Sequence, residues 1–254
     1  MALTQEHINT FTRSLVYQVI FGAVTLGMGI AFLPLLAMRH PALKAKIPHL
    51  WTGVSLSLQR QILGLDYRVT RHTPAPEGGV IYAVKHQSAW ETIALWHILD
   101  RPVFVLKKEL LSIPVFGWYL QHADNIVIDR STGKKAAGQI IDQSMKYLTE
   151  GRNIVIFPEG TRTEVGMETR YKSGIGGVYE ILHPKIFPVA LNSGCFWGRN
   201  RFLRRAGTVE VEILPPLPTG LDKVLFMHAL QEHIETVTAR LVAAPLYPTN
   251  SNYY

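Results

Sequence analysis

The sequence predicts an α/β domain with a mixed, largely parallel central sheet flanked by helices, preceded by an N-terminal helical membrane anchor. Three observations point there. From residue 66 onward, short apolar runs alternate with helical stretches, the pattern of strands joined by crossover helices. Ahead of that region, the 25 residues between Arg13 and Arg39 carry no charge. The composition agrees: of 254 residues, 47% are hydrophobic and 18% charged, against roughly a quarter charged in ordinary soluble domains. Such a chain is not disordered, and it is long enough to bury a core without metal or disulfide staples. Cys195 is the single cysteine, so no intrachain disulfide can form.

The uncharged run would form a helix long enough, at about 1.5 Å per residue, to cross a hydrocarbon core of roughly 30 Å. A secretory signal fits less well, because the run is long and no small-x-small cleavage site follows it. A buried core helix is a third reading. Pro34 is expected to kink or stop the helix near the end of the run. A second stretch, 47–65, mixes apolar residues with Arg60 and Gln61. A single span and a helical hairpin lying in one leaflet therefore both remain open. Only Arg13 precedes the run, whereas Arg39, Lys44, Lys46 and Arg60 follow it. In either arrangement this asymmetry places the body of the protein on the cytoplasmic face of the cell inner membrane.

Beyond the anchor, strands are expected over 67–71, 80–84, 103–106, 126–128, 154–157, 186–191 and 209–213. Helices are expected over 88–99, 108–121, 132–148, 174–182 and 222–243. There is no internal repeat. The expected division is an anchoring segment over 1–65, a single α/β domain over 66–244 and a flexible tail over 245–254. The net charge of +7 suits anionic partners such as phosphates or an acidic membrane surface. It lacks the dense basic stripe with interleaved aromatics of a nucleic-acid binder, so nucleic acid is not an expected partner.

Several site types are absent from the sequence. Lys135 follows Gly133-Lys134 where a P-loop needs Ser or Thr, and no G-x-S-x-G nucleophile elbow occurs. Gly27 and Gly29 sit inside the apolar run rather than after a strand, so they form no dinucleotide fingerprint. His228 and His233 are five apart on a helix and diverge by about 140°. With Glu232 and Glu235 they read as a solvated helix face, and no metal site is expected.

Two stretches carry chemistry. In VIYAVKHQSAWE, a strand runs into a helix, with His86 at the strand's end and Glu91 in the first helical turn. There the carboxylate can fold back onto one imidazole nitrogen and leave the other as a general base. Ser88-Ala89-Trp90-Glu91 is equally a capping box, in which Glu91 satisfies the helix N-terminus. The second stretch is a strand followed at once by Pro158-Glu159-Gly160-Thr161-Arg162. It can offer backbone N–H groups, a carboxylate and a planar guanidinium to one polar ligand.

HQSAWE, the IDR of Ile128–Arg130 and the FPEGTR of Phe157–Arg162 together resemble the lysophosphatidate (1-acylglycerol-3-phosphate) acyltransferase family, PlsC type. KKELLSIPVFGW at 107–118 and FPVA at 187–190 are similar to further segments of that family, so the resemblance spans about residues 66–215. The family signature has Asp where this chain has Glu91, one methylene longer. The resemblance implies acyl transfer from acyl-CoA or acyl-carrier protein to the sn-2 hydroxyl of lysophosphatidic acid, giving phosphatidic acid with no other cofactor. It implies His86 as general base and Glu91 as its orienter. Arg130 and Arg162 are implied for the substrate phosphate, with Glu159, Gly160 and Thr161 positioning the glycerol. Lys107, Lys108 and Lys172 are weaker candidates, and Arg130 reads equally as an ion-pair partner of Asp129. Oxyanion donors are expected among the backbone N–H groups near Ser88. Residues 113–119 could line an acyl channel or belong to the core. Cys195 reads as a small core residue rather than a nucleophile, which favours direct attack over an acyl-enzyme. An acyltransferase for another lysolipid, such as a lyso-ornithine lipid, and a non-catalytic lipid-binding protein on the same fold remain alternatives.

Overall fold

In the computed structural model, residues 5–37, 41–100, 102–113, 116–129 and 134–244 are described. The expected tail over 245–254 and the candidate Arg130 lie outside them. The sheet contains β1 (Leu65–Arg71), β2 (Ile81–Val84), β3 (Pro102–Lys107), β4 (Asn125–Ile128), β5 (Asn153–Ile156), β6 (Ile186–Leu191) and β7 (Gly207–Ile213). They are ordered β1-β7-β6-β2-β5-β3-β4. Only β6 and β7 pair antiparallel, so β1 and β7 run against the other five. This is the mixed, largely parallel sheet that the sequence predicts.

Central strands of such a sheet are covered on both faces, and their residues alternate between two cores. Tyr82 and Val84 of β2 face one core with Val155, Val189 and α4 (Trp90–Ile98). Ile81 and Ala83 face the other, with Ile154, Ile186 and α7 (Gly174–Leu182). The second core is closed by Phe226, Leu230 and Ile234 of α8 (Lys223–Ala243). Asp222 caps α8, its carboxylate accepting from Val224 N and Leu225 N at 2.8 and 3.0 Å. On the same side, α6 (Lys134–Thr149) carries the chain from β4 to β5.

The expected helix over 108–121 is divided. A 3₁₀ turn, Lys108–Ser112, is followed by α5 (Phe116–His122). Ile113 between them is extended (φ −70°, ψ 120°), the conformation that a following proline, here Pro114, imposes.

The N-terminal segment forms α1 (Gln5–Ala31), α2 (Leu33–Ala37) and α3 (Pro41–Leu58), closed by a π-helical turn, Gln59–Leu63, and Gly64 at φ 69°. Pro34 falls in the first turn of α2, just past the point where α1 stops. The buried-core reading of α1 fails, because only 17% of its most apolar stretch is buried. Ile8, Phe11, Leu15, Val19, Leu26 and Ile30 are all exposed. The opposite face docks on the domain. Ser14 Oγ accepts from Arg204 N at 2.9 Å, Tyr17 packs on Trp197, and Tyr119 OH of α5 donates to Gly29 O at 2.7 Å, while Arg13 Nε donates to Ile62 O at 2.7 Å within the segment itself. Trp51 of α3 donates to Thr25 Oγ1 at 3.1 Å, so α1 and α3 form a hairpin.

One ionic joint holds β1, β7 and α8 together. Glu212 Oε2 lies 2.9 Å from His72 Nε2 and accepts from Arg240 Nη2 at 2.7 Å. Burial alone would raise the Glu212 carboxyl, but the His72 and Arg240 bonds outweigh it and hold it below its ordinary range. A depressed carboxyl contributes stability above its unfolded-state pKa and loses it as pH falls through the folded one. Glu212→Gln should therefore melt below the parent near pH 7, and the two curves should converge toward pH 3. A gap independent of pH would contradict the joint.

Candidate active site

The C-terminal ends of β6, β2, β5 and β3 lie side by side, which places the residues after each strand along one edge, where open α/β sheets take their ligands. His86 follows β2, Phe157 follows β5, Lys107 ends β3 and Ser193 follows β6. Strand alternation continues past Val84 and sends Lys85 and His86 to opposite faces.

The imidazole of His86 stacks on Phe157, ring centroids 3.9 Å apart, and its Nδ1 lies 2.9 Å from Glu91 Oε1. That oxygen also accepts from Gln87 N and Ser88 N, both at 2.7 Å, while Oε2 accepts from Ser193 Oγ at 2.8 Å. Glu91 is 0% exposed. The capping role and the imidazole-holding role coexist on one carboxylate. A carboxylate bound by backbone N–H groups is an acceptor, so the proton of the His86–Glu91 bond belongs to Nδ1. Nε2 is then the basic nitrogen. The same bonds correct one expectation: the N–H groups of Gln87 and Ser88 are already engaged and are not free as oxyanion donors.

The second motif braces the first. Glu159 Oε1 accepts from His86 N at 3.1 Å, and Thr163 donates to His86 O from its backbone N (2.8 Å) and its Oγ1 (3.2 Å). Gly160 at φ 69° turns the chain between them, in the left-handed region that favours glycine. The peptide groups of His86 are thus clamped on both sides. Glu159 is 2% exposed, so its carboxylate faces the interior rather than a bound glycerol.

Beneath the clamp lies an ionic cluster that sequence reasoning missed. Lys85, 1% exposed, places Nζ 2.6 and 2.8 Å from the two carboxylate oxygens of Glu235 on α8, and 3.3 Å from Glu159 Oε1. Tyr171 OH donates to Glu235 Oε1 at 2.9 Å. Burial pushes the Glu159 carboxyl up, and Lys85 only partly counters it. Glu235, read from the sequence as solvated, instead chelates a buried lysine. A charged residue inside the apolar run VIYAVK was the available signal. Ser193 carried none. His228 and Glu232 are exposed, as expected.

The acyltransferase family model matches residues 66–192, half of the chain. The chain belongs to the acyltransferase family. It is 35% identical over 167 residues to a 1-acyl-sn-glycerol-3-phosphate acyltransferase of Pseudomonas aeruginosa, a match covering 66% of this chain and 65% of that one. It is 28% identical over 214 residues to the Escherichia coli enzyme of the same name, covering 82% and 84%. It is also 26% identical over 250 residues to a lyso-ornithine lipid O-acyltransferase of P. aeruginosa, covering 85% and 89%. The crystal structure of the 1-acyl-sn-glycerophosphate acyltransferase PlsC from Thermotoga maritima superposes with a TM-score of 0.69 at 18% identity, covering 94% and 98%, which establishes the shared fold.

The remaining candidates of this acyltransferase lie around the same edge. Arg162 is partly buried and donates to Asn200 Oδ1 at 3.2 Å, and Thr161 is exposed. Lys107 and Lys172 are exposed; the backbone N of Lys172 donates to Pro158 O at 2.8 Å, which puts it against the Pro158–Arg162 turn. Lys108 pairs with Asp129 at 3.5 Å. Ile113 and Trp118 are exposed, so they are not core. Glu91→Gln keeps an acceptor oxygen but removes the charge that stabilises an imidazolium, and should lower acyl transfer by about 10²-fold or more. Glu91→Asp should retain much of the rate. Equal rates in both variants would leave Glu91 only its capping role.

Proposed function

We propose that this acyltransferase moves a fatty acyl group from an acyl-CoA or acyl-carrier-protein thioester to the sn-2 hydroxyl of 1-acylglycerol-3-phosphate, giving phosphatidic acid. The observation that carries this reading is the buried, four-donor Glu91 holding His86 Nδ1 at 2.9 Å, which leaves Nε2 as a base at the sheet's ligand edge. His86 Nε2 takes the hydroxyl proton as the oxygen attacks the thioester carbonyl. The tetrahedral intermediate collapses, the C–S bond breaks, and the proton passes from Nε2 to the departing thiolate. Glu91 stabilises the imidazolium between those steps. Direct transfer between bound substrates is preferred to an acyl-enzyme, because burial pushes the Cys195 thiol up, away from a nucleophilic thiolate. The reaction uses no cofactor beyond the acyl donor.

Arg162 holds the acceptor phosphate with its planar fork. Arg162→Lys should raise KM for lysophosphatidic acid several-fold and leave the thioester KM in place; an unchanged acceptor KM would remove Arg162 from that role. The anchoring segment lies in one leaflet of the inner membrane on its cytoplasmic side, as a hairpin. Support comes from the apolar face of α1 being exposed while Ser14 and Gly29, about 22 Å apart along the helix, both contact the domain, through Arg204 N and Tyr119 OH. A lone span would carry one of those contacts across the bilayer.

The lyso-ornithine lipid relative matches 85% of this chain and favours a second acceptor as the alternative. Presenting lysophosphatidic acid, lyso-ornithine lipid and lysophosphatidylcholine together with one acyl-CoA, and weighing the products by mass spectrometry, separates them. Phosphatidic acid should dominate. Preferential acylation of lyso-ornithine lipid would replace the acceptor assignment.

A further inference from the structure

The loop between β6 and β7 carries Arg199, Arg201, Arg204 and Arg205 within seven residues, with no acidic residue among them. Arg204 is structural: it lies over the rings of Tyr17 and Trp197 and donates to Gln18 Oε1 at 2.7 Å. The other three are exposed, and none makes an ion pair or a side-chain hydrogen bond among the described residues. They line a cavity of about 570 Å³ together with Cys195, the exposed Glu164 and the buried Gln87 and Thr163, so three guanidinium groups face a single carboxylate there. Its floor is continuous with the catalytic clamp. Gln87 follows His86 and takes the N–H of Gly194 at 3.0 Å, and Thr163 donates to His86 O.

We infer that this cavity receives the phosphate groups of the phosphopantetheine arm of the acyl donor. The inference rests on the thioester-transfer reading above and adds a donor site to it. A thioester placed at His86 sends its long polar arm away from the acyl chain, and the cavity is lined by Gln87, the residue that follows His86 in the chain. Arginine forks suit phosphate oxygens, and three of them exceed what one lysophosphatidate headgroup requires beside Arg162. The cavity sits beside the anchor: Phe202 and Leu203 are exposed next to the arginines, and the Phe202 ring packs on Phe11 with centroids 5.4 Å apart.

Cys195 supplies a built-in reporter, because it lines the cavity and no other residue competes for a thiol reagent. The experiment uses the full-length protein in detergent and desulfo-coenzyme A, which carries the phosphates but no thiol. Alkylation of Cys195 by N-ethylmaleimide is followed by intact mass, and binding by calorimetry, in the parent and in Arg201→Gln/Arg205→Gln. Saturating desulfo-coenzyme A should slow labelling severalfold in the parent. The double variant, at an unchanged melting temperature, should bind it roughly tenfold more weakly, the scale of a lost charge-assisted contact. Pantetheine should bind the two proteins equally. 4′-Phosphopantetheine separates the sources of the phosphate: sensitivity to it as well as to desulfo-coenzyme A means the arginines grip the 4′-phosphoryl group that coenzyme A shares with a carrier protein's arm, and sensitivity to desulfo-coenzyme A alone means they grip the nucleotide phosphates. Unprotected Cys195 with equal affinities would overturn the proposal. So would a double variant that raises KM for lysophosphatidic acid alone, or that only weakens sedimentation with anionic vesicles. If the arginine-dependent binding holds while lysophosphatidic acid is not acylated, the acceptor assignment falls and the donor site stands.

Discussion

His86→Ala lowers acyl transfer by about 10²–10⁴-fold, the usual contribution of a positioned general base. The size follows from the absence of a substitute at the same point. Glu91 is buried beneath the imidazole with all its bonds made, and Glu159 faces the interior, so neither carboxylate can reach a substrate hydroxyl in its place. The loss should appear in kcat with KM for both substrates little changed, since the imidazole is asked to act on the proton in flight rather than to bind. Far-ultraviolet circular dichroism and melting temperature should stay near the parent's, because His86 is a half-buried edge residue. Steady-state kinetics of thiol release against both substrates checks this. A loss under tenfold would mean that another group removes the proton.

Lys85→Met destabilises the protein by about 3–5 kcal/mol, the cost of stranding a buried charge after its partner is removed. Two carboxylates depend on that one ammonium, Glu235 at 2.6 Å and Glu159 at 3.3 Å, and the lysine is 1% exposed, so water cannot replace it. Glu235→Gln should cost much less, because the amide still accepts from Lys85 and Tyr171 while Glu159 keeps the ammonium paired. Urea unfolding of the detergent-solubilised protein measures both. Equal, small losses in the two variants would mean the cluster is solvated and has no part in holding the strand end. A milder variant links the cluster to activity: Glu235→Gln should reduce kcat through the His86 backbone, and Glu235→Asp should restore part of it.

The fold was legible wherever periodicity was strong. All seven strands lie at or within two residues of where alternating or continuous apolar runs place them, because both faces of the sheet are covered and the signal is dense. The helix expected over 108–121 is divided because Ile113, held extended before Pro114, breaks a segment whose apolar spacing alone is helical. The site divides differently. His86 and Glu91 were readable because they are five apart in one motif, and the capping and imidazole-holding roles were separable only by coordinates. Glu235, Ser193 and Lys85 were not readable as partners. Their contacts cross 150, 102 and 74 residues of chain, and nothing local marks which glutamate of an exposed-looking helix turns inward. Glu159 shows the converse: its place in the motif suggests a ligand-facing carboxylate, while the turn after β5 folds it back onto His86 N and the buried Lys85.

The most direct test of acyl transfer to lysophosphatidic acid is thiol release from a long-chain acyl-CoA by the detergent-purified protein, measured with and without that acceptor. The account predicts release that requires the acceptor and matches phosphatidic acid formed mole for mole. Release at the same rate without acceptor, or phosphatidic acid absent while thiol accumulates, would contradict it.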